Sequence, residues 1–77
     1  MNGMASKTLA YAVVIEKAGR NYSAYAPDLP GVITTGRTPG ATERNMREAI
    51  AFHLCELRAA GEPIPAPTTR AAYVAAR

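Results

Sequence analysis

"NYSAYAPDLPGV", residues 21–32, decides how the rest of the chain must be read. Its first half alternates as a strand does, with Tyr22 and Ala24 toward one face and Ser23 and Tyr25 toward the other. The alternation then stops. Pro27 cannot donate to a strand ladder, Pro30 holds Leu29 extended, and Gly31 permits a turn. "PDLPG" is therefore predicted to be a stiff corner between two paired strands, with Asp28 displayed on it. Such a corner is a low-entropy recognition element, although an aspartate there also serves as an ordinary turn former.

Upstream, "LAYAVVIEK" (9–17) is rich in strand formers, with Tyr11, Val13 and Ile15 on one face and Ala10, Ala12 and Val14 on the other. Both faces are apolar, which predicts a central strand. "AGRN" (18–21) supplies turn residues, Gly19 and Asn21 both tolerating positive φ, so a hairpin joins the first two strands. Downstream, "VITTG" (32–36) predicts a third strand. Thr38 reads as a helix N-cap, Pro39 as the first helical residue and Gly61 as the residue just past the C-cap. Between them Met46, Ile50, His53 and Leu57 form one stripe, with Ala49 and Leu54 beside it, as expected for a helix that buries one face. Arg44, Arg47 and Arg58 lie toward the opposite side, where Glu43 with Arg47 and Arg44 with Glu48 are favourable i,i+4 pairs. "EPIPAPTT" (62–69) is an extended return, and "RAAYVAAR" (70–77) resumes a strand pattern.

The order is β-β-β-α-β. A crossover of that length lets the last strand lie parallel to the first, giving an α+β domain over residues 9–77 with one helix on a four-stranded mixed sheet. Residues 1–8 are expected to be a flexible tail without the basic-then-apolar pattern of a signal peptide. One helix cannot cover both faces of such a sheet, so a homo-oligomer is expected, most simply a two-fold dimer.

Composition limits the functions available. A chain of 77 residues buries only about 60% of its unfolded surface, so association is a natural stabilising route. The net charge of +3 is a modest basic bias without a run of basic residues, compatible with nucleic acid or an acidic partner but specific to neither. The single cysteine, Cys55, excludes an internal disulfide and suits a reducing cytosol. No segment has the ~18 apolar residues of a membrane span.

Catalysis has little to work with. The carboxylates are Glu16, Asp28, Glu43, Glu48, Glu56 and Glu62, of which only Glu16 falls within a predicted strand, so a sheet-borne divalent-metal site is not expected. His53 sits in the apolar stripe without a second ligand at helical spacing, and Ser23 lacks a nucleophile-elbow setting. Tyr22 and Tyr25 point to opposite faces, so they cannot form one base-stacking platform.

The combination of "YAVVIEKAGRNYSAYAPDLPGV" (11–32), "TGRT" (35–38) and "NMREAIAFHLCELRAAGEPIPAP" (45–67) resembles the HicB antitoxin family of bacterial type II toxin–antitoxin systems. The resemblance implies a partly degraded ribonuclease-H-like fold, no cofactor and no catalysis. It also implies a partner, HicA, a small RNA-cleaving toxin with a double-stranded-RNA-binding-like fold that the antitoxin binds and masks. Three features depart from the family pattern: Val32 stands where the family often has Cys, "PGATE" (39–43) replaces a more acidic run, and the net charge is positive. No helix-turn-helix or ribbon-helix-helix segment comes after the predicted last strand, so specific DNA binding by this chain alone is not expected. On this reading Tyr25, Asp28, Leu29 and Glu43 are the candidate toxin contacts, with Leu29 and Tyr25 as hydrophobic anchors and Asp28 and Glu43 as acidic partners for basic toxin residues. A solitary nucleic-acid-binding or regulatory module on the same scaffold is the alternative.

Overall fold

The computed structural model describes residues 9–77. Three strands, β1 (Val14–Ala18), β2 (Asn21–Tyr25) and β3 (Ile33–Gly36), form an antiparallel meander in the order β1-β2-β3, and α1 (Pro39–Ala59) packs across one face of it. The class is α+β. The expected tail, residues 1–8, lies outside the described residues.

Local chemistry accounts for each boundary. β1 and β2 are joined by the two residues Gly19 and Arg20, with Ala18 paired to Asn21, and Gly19 takes the positive φ of 63° that this tight turn needs. Asn21 starts the strand instead of sharing the turn. The corner consists of two successive turns that share Leu29. The Leu29 N–H donates to Ala26 O (3.0 Å), with Pro27 at the second position. The Val32 N–H donates to Leu29 O (3.2 Å), with Pro30 second and Gly31 third at φ 88°, the signature of a type II turn.

The helix begins and ends where the sequence predicts. The Thr38 side chain accepts from the Ala41 N–H (3.0 Å), and Pro39 occupies the first turn, where a missing N–H costs nothing. At the other end Glu62 N donates to Leu57 O (2.8 Å) and Gly61 N to Arg58 O (3.1 Å), a Schellman closure that Gly61 permits with φ 71°.

The buried core is Ala24, Ala26, Leu29 and Val32 from β2 and the corner, with Met46 and Leu54 from the helix. Tyr11, Val13, Ile15, Ala49, Ile50, Leu57 and Ile64 pack around it. Helix and sheet meet closely at Gly36, where a Cβ would fall 2.5 Å from Thr42 Oγ1 and 2.7 Å from its backbone nitrogen. Thr42 is fully buried, and its hydroxyl donates to Thr38 O (2.7 Å), so the one polar side chain in this contact is satisfied.

Two expectations about the sheet are corrected. The sheet has three strands, not four: residues 70–77 form no ladder, and Tyr73 and Val74 stand fully or almost fully exposed at 102% and 86%. β1 is consequently an edge strand, and its ladder starts at Val14, not Leu9. A strand pattern specifies a residue's fitness for pairing, but the partner edge must be within reach. Here the C-terminal segment is held elsewhere.

Candidate functional site

Strand register determines which side chains each face of the sheet presents. Ile15, Ala24 and Thr34 lie opposite one another, as do Lys17, Tyr22 and Gly36, and these rows face α1. Lys17 Nζ lies 5.6 Å from the centre of the Tyr22 ring, at the open end of that face. The alternate rows face away from the helix: Val14 with Tyr25 and Ile33, and Glu16 with Ser23 and Thr35. Tyr25 is 44% exposed and Ile33 67%. A contiguous apolar row thus crosses all three strands on the uncovered face. Single exposed apolar residues are ordinary, whereas an aligned row is the feature that marks an interaction surface.

Of the four candidate contact residues, Tyr25 sits in the middle of this row. Leu29 does not reach the surface. It is 1% exposed and fills the core beneath the corner, so the side chain expected as an anchor is turned into the domain. The turn that makes the corner stiff also points its one large apolar side chain inward, beside Ala26 and Val32.

Asp28 is neither a bare display nor a turn former for its own neighbours. Its carboxylate receives four hydrogen bonds from two consecutive residues 40 and 41 positions away. The N–H of Thr68 and of Thr69 each donates to Oδ2 (2.9 Å), and their hydroxyls donate to Oδ1 at 3.1 and 2.7 Å. These bonds favour the ionised form and hold the carboxyl below the usual aspartate range, the Thr69 N–H contributing most. A second tie lies alongside: Tyr11 Oη donates to Pro65 O (2.6 Å). The proline-rich return is thereby fastened at two places, and the residues beyond Thr69 run out into solvent.

Glu43 pairs along its own helix with Arg47 at 3.1 Å, both side chains more than half exposed, so the pair contributes roughly 0.5 kcal/mol or less. Both residues stand at the mouth of a groove of about 490 Å³ whose apolar wall is Leu9, Tyr11, Val13, Met46 and Ile50. The structure therefore brings Tyr25 together with Val14 and Ile33, places Asp28 three residues further on in the corner, and sets Glu43 on a different element.

Sequence reasoning does not single out Ile33 and Val14 as surface partners of Tyr25. The signal is present, since period-two alternation becomes a row once the turn lengths fix the register. Among the described residues, no three His, Cys, Asp or Glu side chains come together in a way that would hold a metal ion. Nor is any described helix long and apolar enough to cross a membrane.

The chain is 33% identical over 57 residues to an uncharacterised 14.9 kDa protein of the rep–hol intergenic region of Haemophilus phage HP1, an alignment covering 74% of this chain but 43% of the phage protein. The chain thus matches less than half the length of that relative. No solved structure gives a significant match. The family description "HicB_like antitoxin of bacterial toxin-antitoxin system" matches residues 11–77, from Tyr11 in the groove wall onward. On that span, the chain belongs to the HicB-like antitoxin family.

Proposed function

We propose that the chain is a non-catalytic antitoxin that binds a HicA-like RNA-cleaving toxin in the cytosol and masks its RNA-binding surface. Family membership supports the antitoxin class. The observation that carries the mode of binding is the uncovered row of Val14, Tyr25 and Ile33. An aromatic flanked by two aliphatic side chains on a rigid sheet is the type of centre around which protein interfaces form.

Charge supports the same emphasis. HicA toxins are generally basic, so a net +3 chain gains no long-range attraction toward one. Burial of apolar surface must then supply most of the affinity. Asp28 and Glu43 serve as local acidic contacts at the margins, each already engaged by an internal partner that a toxin cation would share or displace.

The test is co-expression with the product of the adjacent reading frame. The two proteins are expected to co-purify, and Tyr25→Asp combined with Ile33→Asp is expected to weaken the complex at least ~10-fold, equivalent to ~1.4 kcal/mol, while the far-UV circular dichroism stays native. A native chain that forms no complex overturns the antitoxin reading. Binding to RNA that weakens with added salt, in place of a protein complex, would establish the nucleic-acid alternative. If the complex forms and the double variant binds equally well, the toxin docks elsewhere on the domain.

A further inference from the structure

The last eight residues, "RAAYVAAR" (70–77), carry apolar side chains on both faces of an extended chain, Ala71, Tyr73 and Ala75 on one and Ala72, Val74 and Ala76 on the other. That is the pattern of a strand covered on both sides. Yet every one of the eight is exposed, and Tyr73 retains all of its accessible surface. Fully extended, the segment spans about 26 Å. It is anchored at its root by the four bonds from Thr68 and Thr69 to Asp28, so its direction of departure is fixed while its length is unpartnered.

The same fold offers an open edge of matching shape. Among the described residues no strand pairs with the outer edge of β1, and Leu9–Val13 extend that edge without entering the ladder. The other edge differs. β3 runs within two residues into the helix, and the Asn45 side chain donates to Thr35 O (2.8 Å), taking up a backbone acceptor there. On the helix side of the β1 edge lies the groove walled by Leu9, Tyr11, Val13, Met46 and Ile50, large enough at about 490 Å³ to take an aromatic ring. On the other side the apolar row ends at Val14.

We propose that residues 70–77 are an exchange arm, and that two copies of this chain dimerise by each laying its arm along the β1 edge of the other. In this arrangement the arm becomes a fourth strand supplied in trans. Tyr73 enters the partner's groove, and Val74 extends the partner's row of Val14, Tyr25 and Ile33. Arg70 and Arg77 bracket the apolar stretch, while Glu16 on β1 and Glu43 at the groove mouth offer acidic counterparts on the receiving side. Exposed strand edges are liabilities that proteins cover, and reciprocal exchange covers two edges and two arms at once. Nothing in this arrangement requires a particular toxin.

Sedimentation equilibrium tests it, with the native chain, a chain ending at Thr69 that keeps the Asp28 clamp, and the full-length double variant Tyr73→Asp, Val74→Asp. The native protein is expected at about twice the 8.2 kDa chain mass at micromolar concentration, and both variants at the monomer mass with unchanged far-UV circular dichroism. A native monomer overturns the proposal, including the case in which the β1 edge is kept for another protein. A dimer that survives in both variants overturns it too, since the contact then lies on another surface. If truncation alone were to impair folding, the full-length variant decides. In the native dimer, nuclear Overhauser contacts between Tyr73 of labelled chains and Tyr11 or Ile50 of unlabelled ones are expected; the same contacts arising only within one chain would show the arm folding back in cis.

Discussion

The corner at Pro27–Gly31 and the arm at 70–77 are built from similar materials and have opposite fates. Leu29 is the largest apolar residue of the corner and Tyr73 that of the arm, and hydrogen bonds within the corner and at the root of the arm fix the path of each. In the corner, two turns direct Leu29 inward until 1% of it is exposed. In the arm, a clamp at the root directs Tyr73 outward until all of it is exposed. Hydrophobicity is the same incentive in both places. Backbone geometry decides whether the surface that satisfies it belongs to the same chain.

The largest effect that would break this contrast lies in the corner. Leu29→Ala is expected to destabilise the domain by about 2–5 kcal/mol in chemical denaturation, because a buried leucine loses both its transfer energy and its packing. Against the roughly 5–15 kcal/mol total of a natural domain, that leaves little. A loss below ~1 kcal/mol would mean that the corner is not the keystone of this core.

Asp28 comes next, with a local effect. Its carboxyl is held below the ordinary aspartate range, so the bonds to Thr68 and Thr69 are fully present above the unfolded-state value and are lost as pH falls through the lowered folded value. An NMR titration should show the Thr68 and Thr69 amide resonances moving together in that acid window, and Asp28→Asn should abolish the shift. Titration of those amides in the ordinary aspartate range would show the clamp absent in solution.

The smallest effect on folding is expected in the arm. Tyr73→Ser should leave the unfolding free energy of dilute, monomeric protein unchanged within ~0.5 kcal/mol. It should nonetheless remove the rise in melting temperature with protein concentration that linked dimerisation produces. Equal sensitivity at all concentrations would place Tyr73 in the chain's own core and erase the contrast with Leu29.

Legibility in the sequence depends on the range of the interaction. The helix limits at Thr38, Pro39 and Gly61 and the hairpin at Gly19 rest on contacts within a few residues, and the structure reproduces them. The periodic stripe of α1 is legible for the same reason, with Met46 and Leu54 buried and Ile50 and Leu57 packed beside them. The clamp is not legible, because Asp28 meets partners 40 and 41 residues away and two consecutive threonines carry no signature of a carboxylate. Leu29 reads as a surface anchor only because strand alternation says nothing about where a turn residue points. The segment at 70–77 has the pattern of a strand in this chain's own sheet, but its anchor at Thr68 and Thr69 carries it away from that sheet. At the candidate site, Tyr25 is identifiable from sequence, while its neighbours Val14 and Ile33 need the register.

If, as proposed, this domain silences an RNA-cleaving partner by occupying its surface, RNA cleavage by the adjacent-frame protein, titrated with this chain, reports it directly. Cleavage should fall to background as the chain approaches equivalence, and the Tyr25→Asp, Ile33→Asp variant should require at least ~10-fold more protein for the same suppression. Cleavage that continues undiminished at a several-fold excess of native chain would show that the domain does not silence this partner.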